Sequence, residues 1–199
     1  MITRKEMTRM LLKEGLLSWL ANNSFESVTV TSLCKASGIT RSTFYLHYSN
    51  IMEIVDDLVD DAIAYSKPGM VDNNNLQTIA QTLSAASNSV SLREAYDSIF
   101  DRLPLCQRII RHKKYLPLFL DEQISEYVLQ RIIGREKDRQ GLVIAESLGV
   151  SFDVGVSVFV FLVHGLYAVN KQYKWSQSDE WLEAQKIIFE LVYRGLQRR

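Results

Sequence analysis

The sequence predicts an all-α protein, with a small three-helix N-terminal unit followed by a larger helical one. Three observations predict it. Apolar positions recur every three or four residues along most of the chain, the period of one helix face. Gly and Pro are scarce, nine and three in 199 residues, too few for a turn-rich β fold. The prolines, Pro68, Pro104 and Pro117, fall where helices are already interrupted on other grounds.

From Thr3 to Ala21 the residues Met7, Met10, Leu11, Leu17, Leu20 and Ala21 keep helical spacing, and Asn22, Asn23 and Ser24 stop the helix. Thr29 suits the N-cap of a second helix through Leu33 and Cys34 to Ser37, because its hydroxyl can accept from the open amides of a first turn. Gly38 ends that helix, since Gly takes a left-handed conformation freely. Thr40 can cap a short third helix from Arg41 to about Tyr48. A longer one follows from Asn50 to Ser66, with Ile54, Val55, Leu58, Val59 and Ala62 inward. Lys67, Pro68, Gly69 and residues 72–75 form a linker, which divides the chain into residues 1–49, a connecting helix and linker over 50–75, and a helical domain over 76–199. Helical stretches are expected at 76–89, 92–102, 105–114 and 118–134. A charged turn, REKDRQG, then precedes another at 142–147, and long helices close the chain at 152–173 and 179–197.

Formal net charge is zero, so the whole chain does not advertise a nucleic-acid partner. Its distribution is more informative. Arg4, Lys5, Arg9, Lys13, Lys35 and Arg41 outweigh Glu6, Glu14 and Glu26 in the first fifty residues, whereas Glu53, Asp56, Asp57, Asp60 and Asp61 follow. The first segment could sit on phosphates, and the second should point away from them. Two cysteines, Cys34 and Cys106, without CxxC spacing, argue against a zinc site or a disulfide framework and suit a reducing, cytoplasmic setting. No cofactor or metal is implied. The N-terminus lacks the apolar core of a signal peptide. The run from Val154 to Val169 is shorter than the ~20 residues of a membrane span and reads as a buried helix, with a membrane segment as the alternative.

On the third helix residues four apart share a face, so Phe44 lies over Tyr48, Arg41 over Tyr45 and Thr43 over His47. Phe44 and Tyr48 anchor the helix, which leaves Arg41, Ser42, Thr43, Tyr45 and His47 outside. Two short helices around a Gly turn form a helix-turn-helix arrangement, whose second helix can enter a DNA major groove. There Arg can bond guanine and a Thr methyl can touch thymine, while Tyr, Ser and His reach phosphate oxygens.

The stretch VTVTSLCKASGITRSTFYLHYSN, within residues 10–58, resembles the N-terminal domain of the tetracycline-repressor (TetR) family of transcriptional regulators. Thr29-Val30, Leu33, Ala36, Gly38-Ile39, Thr43-Phe44-Tyr45, His47 and Tyr48 carry the likeness. The resemblance implies phosphate contacts from Thr29 and Thr31, base contacts from Arg41, Ser42 and Thr43, and backbone grip from Tyr45 and His47, with Thr40 among the DNA-facing residues. Two positions depart from the family. Ser24 stands where Gly is common, so that Asn22 or Asn23 would supply a left-handed residue. Ile51 stands where a phosphate-binding Lys is usual, which puts one phosphate contact in doubt.

The last two helices are apolar nearly all round and must be buried on all sides. Self-association achieves this, with Gly155, Gly165 and Gly195 allowing close approach, and the resemblance likewise implies a twofold homodimer. Phe159, Val163, Leu166, Ile188, Leu191 and Gly195 are the candidate interface; burial wholly within one subunit is the alternative. The resemblance further implies release from a palindromic operator by a small-molecule effector. Tyr96, Phe100, Phe119, Tyr127, Phe161, His164 and Tyr167 are candidate pocket residues, although such aromatics more often serve as plain core and His164 as a satisfied core or interface histidine. The run Arg108, Arg111, His112, Lys113, Lys114 could attract an anion or simply be a solvated helix end.

Two other functions stay open. An enzyme is disfavoured, as no Gly-rich phosphate loop, metal-ligand cluster or nucleophile elbow occurs, and His47, His112 and His164 sit in unrelated contexts. An all-helical carrier or interaction protein that no longer reads DNA is compatible with Ile51 and the neutral charge.

Overall fold

The computed structural model describes residues 3–65, 75–104, 107–108 and 113–196. Among these residues the chain is all-α, with ten α-helices and no strand. Two compact units form. One is Met1–Tyr65 with His112–Ile132, and the other is Ser66–Arg111 with Ile133–Arg199. Residues 67–74 of the expected linker, Cys106, and Arg111 and His112 of the basic run lie outside the described residues.

In the first unit, α1 (Arg4–Leu20) begins with a reciprocal cap: Thr3 Oγ1 accepts from the Glu6 N–H at 3.2 Å, and the Glu6 carboxylate accepts from the Thr3 N–H at 2.7 Å. Leu12, Leu16, Leu17 and Leu20 form its inner face. The expected left-handed residue after α1 is not used. The Asn22 and Asn23 amides both donate to the Trp19 carbonyl, at 3.0 and 2.9 Å, and the Asn22 and Asn23 side chains cover the Ser18 and Trp19 carbonyls. Those bonds satisfy the helix end without a left-handed residue, and Ser24 is extended at φ −72°, ψ 150°.

A 3-10 turn, Phe25–Ser27, leads to α2 (Val30–Ser37) and then to α3 (Arg41–Tyr45). Gly15 lets α2 press against α1, since a methyl there would lie 2.1 Å from Ser37 Oγ. α4 (Ile51–Tyr65) buries Ile54, Val55, Leu58, Val59, Ala62 and Ile63, as its periodicity predicts. The short α7 (Leu116–Leu120) adds Leu118 and Phe119 to this unit's core. Asp121 then accepts from the Phe25 N–H at 2.7 Å with one carboxylate oxygen, and from the Gln123 and Ile124 N–H groups with the other. One side chain therefore fixes both the turn before α2 and the entry to α8 (Ser125–Leu148).

The second unit holds α5 (Asn75–Ser84), α6 (Ser89–Ser98), most of α8, α9 (Phe152–Gln172) and α10 (Asp179–Leu196). α5 ends earlier than its periodicity suggests because Asn88, extended at φ −153°, caps α6 through a reciprocal pair with Ser91. α10 packs on α5 and α6, and Trp181, fully buried, stands edge-on to Tyr96 with ring centroids 5.2 Å apart. Lys174 and Trp175 after α9 have positive φ, 50° and 56°, in a turn held by the Trp175 N–H on the Asn170 carbonyl at 2.8 Å.

Two expectations need correction. REKDRQG is not a turn but the middle of α8, which continues unbroken to Leu148. Arg, Glu, Lys and Gln are good helix formers, and their charges signal a solvated face rather than a break. Gly155 is not left for a partner subunit. It lies against α8, where a methyl would sit 2.2 Å from the Gly141 carbonyl oxygen and 2.9 Å from the Ala145 Cβ. The paired glycines let the α8 and α9 backbones touch.

That crossing distinguishes two glycines on one helix. Gly134 faces open space, so Gly134→Ala is expected to raise stability by about 1 kcal/mol through helix propensity alone. Gly141→Ala places its methyl 2.5 Å from Val156 Cγ2 and 3.0 Å from the Val156 backbone, and is expected to destabilise by ~1–3 kcal/mol. Urea unfolding of the two variants beside the parent checks the opposite signs.

Candidate functional site

The α2–Gly38–α3 segment is built from caps. Thr29 Oγ1 accepts from the Ser32 N–H at 3.0 Å while Ser32 Oγ accepts from the Thr29 N–H at 2.9 Å, which starts α2 sharply. Gly38 stops it in the left-handed region, φ 67° and ψ 25°, and the Ile39 N–H closes on the Cys34 carbonyl at 2.9 Å. Thr40 caps α3 through the Thr43 N–H at 3.2 Å. Its hydroxyl also meets those of Ser42 and Thr43, at 3.0 and 2.8 Å. The three hydroxyls expected to face outward thus form a local cluster at the start of α3.

The orientation of α3 follows from two aromatic residues. Phe44 is 0% and Tyr48 3% exposed. The Tyr48 hydroxyl donates to Asp57 on α4 at 2.6 Å, Arg9 on α1 donates to the same carboxylate through Nε at 3.0 Å, and the guanidinium lies 5.3 Å above the Tyr48 ring centroid. With that side locked inward, Thr29, Thr31, Thr40, Arg41 and Ser42 are exposed, Tyr45 is 53% exposed, and Thr43 and His47 are half-buried. All eight expected DNA-facing residues therefore belong to one short segment of the first unit. Leu46, 80% exposed, lies in the same segment, and the only sign of it in the sequence is its place two residues from both Phe44 and Tyr48.

The charge reading needs correction. Asp57 and Asp61 do not merely point away; they take up Arg9 and Lys13, two of the cations expected to meet phosphates. Asp56 accepts from the Tyr127 hydroxyl at 2.6 Å and pairs with Arg131, and Lys114 of the basic run pairs with Glu14. Arg4, Lys5, Lys35 and Arg41 remain exposed. Ile51 opens α4 half-buried, contributing packing and no charge. Cys34 is buried, and burial pushes its thiol up from the ordinary value despite the nearby Arg41, so it behaves as packing.

The proposed pocket residues do not share one unit. Phe119 is core and Tyr127 an exposed partner of Asp56, both in the first; Tyr96, Phe100, Phe161, His164 and Tyr167 belong to the second. Tyr96 joins a buried chain in which its hydroxyl donates to Gln107 at 3.2 Å and Gln107 donates to Gln185 at 2.9 Å. Phe161 is 72% exposed, and His164 Nδ1 donates to the Val160 carbonyl at 3.0 Å. A cleft of about 490 Å³ in the first unit is lined by Glu6, Met10, Lys13, Glu14, Leu58, Asp61 and Lys114, none of them a predicted pocket residue.

α9 and α10 each leave an apolar stripe uncovered. Val154, Phe161, Gly165 and Ala168 are exposed along α9, and Ile187, Leu191 and Gly195 along α10. Gly165 and Gly195 have no atom near enough for an added methyl to touch. Of the expected interface residues, Leu191 and Gly195 lie on these stripes, Phe159, Val163 and Ile188 are half-buried, and Leu166 is already buried within the chain. α9 also corrects the length argument against a membrane span. It runs 21 residues with mean hydropathy 1.9 in its apolar stretch, of which 17% is buried, long and apolar enough to cross a membrane.

Asp57 sets the pH response of the site. Burial pushes its carboxyl up, but the bonds from Tyr48 and Arg9, with the charges of Arg9 and Lys13, outweigh it and hold the pKa below the ordinary 3.8. A carboxyl lowered on folding stabilises fully above its unfolded pKa, and that contribution disappears as pH falls through the folded one. Thermal midpoints of the parent are thus expected to fall from about pH 4 downward. Asp57→Asn should lose ~2 kcal/mol near neutrality, from two weakened charge-assisted bonds, and show a shallower acid limb. An unchanged acid limb in Asp57→Asn would exclude this residue as its source.

No family model, curated protein or solved structure matches the chain.

Proposed function

We propose that the chain is a dimeric, sequence-selective DNA-binding transcriptional regulator of the kind it resembles, the TetR family, acting as a repressor released by a small-molecule effector. One observation carries the reading. α3 is pinned on its inner side by Phe44 and Tyr48, and its outer side presents Arg41, Ser42 and Tyr45 instead of the Lys and Glu of an ordinary solvated helix. α2, the Gly38 turn and α3 then act as a helix-turn-helix, with α3 entering the major groove. Arg41 bonds a guanine edge, and Tyr45 and Thr29 hold phosphates.

The exposed apolar stripes of α9 and α10 support the second half of the proposal. Side chains such as Phe161 and Leu191, 72% and 67% exposed, are covered when a second copy packs across them in a four-helix arrangement. A twofold dimer then presents two α3 helices to a near-palindromic operator. An effector acts by favouring one arrangement of the two reading helices over another, which needs a few kcal/mol of differential affinity. We place the protein in the cytoplasm, without a membrane partner. Ile51, which adds no charge where the family has Lys, favours the other reading, a helical ligand-binding or interaction protein that does not select DNA.

Fluorescence anisotropy against duplexes selected from a random library decides between them. Selective binding that strengthens at low salt is expected, with a modest salt slope because Arg9 and Lys13 are already paired. Arg41→Ala should cost about tenfold on the preferred site and blur selectivity, while Tyr45→Ala should weaken all duplexes alike. Selection that enriches no sequence would reject the regulator. In sedimentation, the parent is expected as a dimer, and Phe161→Glu or Leu191→Glu as a folded monomer. A monomeric parent would remove the dimer from the proposal.

A further inference from the structure

We infer that Leu46 reads the 5-methyl group of a thymine, one in each operator half-site. The inference rests on the DNA-binding reading above and extends it to a residue outside the hydrogen-bonding set. Leu46 is two residues from both Phe44 and Tyr48, the buried pair that fixes which way α3 faces. At 100° per residue Leu46, which closes α3 as its C-cap, lies about 160° around the helix axis from Phe44 and so on the opposite side. It keeps helical geometry there, φ −75° and ψ −18°, with its N–H on the Thr43 carbonyl at 3.2 Å. It is 80% exposed, more than Phe161 at 72% or Leu191 at 67%.

The chemistry of that position is restrictive. Ser42 and Thr43, its nearest neighbours around the helix, have hydroxyls engaged with Thr40, and Tyr45 stands edge-on to Phe44 at 5.2 Å. The most exposed apolar side chain at the end of α3 is therefore a branched hydrocarbon with nothing to donate or accept. Base edges in the major groove display donors and acceptors at adenine, guanine and cytosine, and only thymine adds an apolar group, its 5-methyl. An apolar tip facing a donor or acceptor would strip it of water without replacing the bond, whereas facing a methyl it buries carbon against carbon. Leu46 thus discriminates by apolar contact and by exclusion, beside a hydrogen-bonding Arg41.

Replacing thymine by uracil removes that methyl and leaves base pairing intact, which gives a direct test. On the operator obtained by library selection, each thymine is changed in turn to uracil and Kd is measured for the full-length parent, Leu46→Ala and Tyr45→Ala. One thymine per half-site is expected to lose roughly fourfold in affinity for the parent, the value of burying one methyl. Leu46→Ala should bind the unmodified operator more weakly by a similar factor and show no further loss with uracil there, while Tyr45→Ala keeps the full uracil penalty. Thermal unfolding of Leu46→Ala should match the parent, because the side chain supports no core. A parent insensitive to uracil at every position, or a uracil penalty unchanged in Leu46→Ala, overturns the inference while leaving DNA reading in place. Should Leu46→Ala fail to fold, Leu46→Gln takes its place and is expected to lose the uracil penalty at that thymine while Thr43→Ser keeps it; a penalty lost in Thr43→Ser instead overturns the inference. If selection enriches no sequence, the DNA reading fails and takes this inference with it.

Discussion

The first unit depends on a single carboxylate. Asp57 on α4 receives both the Tyr48 hydroxyl and the Arg9 guanidinium, so it joins α1, α4 and the residues just after α3 at one point. α3 has five residues, too short to hold a helix by its own propensity, and its direction must come from what it is fastened to. Phe44 supplies burial without a unique rotation. The Tyr48 hydroxyl supplies the rotation, because it can reach the carboxylate from one direction only. Burial and this bond both push the Tyr48 phenol above its usual value, so it stays a neutral donor throughout the ordinary pH range. Everything outward on α3 is outward because this side is fixed.

The same contact explains what the sequence could and could not reveal. Caps were legible because they are local: Thr29, Gly38 and Thr40 act within four residues of themselves, and the structure puts each helix end where they indicate. The inward faces of α2, α3 and α4 were legible from spacing. The pairing of Arg9 with Asp57 and of Lys13 with Asp61 was not, since each joins residues 48 apart and nothing in a charge count says which acid meets which base. REKDRQG misled in the opposite way. Charge density resembles a loop in sequence, but on a helix it is simply the wet face. Leu46 carries no polar group, and a leucine in a sequence reads as core until the structure shows it 80% exposed.

The long C-terminal helices show a different limit. When nearly every position is apolar, periodicity loses its power to tell inner from outer face. The sequence indicated that α9 and α10 need covering, but not which residues the chain covers itself. The structure divides them: Leu166, Tyr167 and Asn170 face inward, where the Trp181 indole donates to the Asn170 side chain at 3.0 Å, and Phe161 and Gly165 are left outside. Gly155 and Gly165 look alike in sequence and differ entirely in surroundings.

The bond from Asp121 to the Phe25 N–H spans 96 residues, and it has a consequence for how the protein is made. The first unit is discontinuous, since residues 112–132 return to complete what residues 1–65 begin. On a ribosome the first four helices emerge well before Leu118, Phe119 and Asp121 exist, and closing contacts of such long separation is slow. The N-terminal segment must therefore wait with Phe25 uncapped and part of its core open until two-thirds of the chain has been synthesised. A nascent or truncated chain that stops short of Asp121 carries every residue of α2 and α3 and still lacks the contact that seats the turn in front of α2.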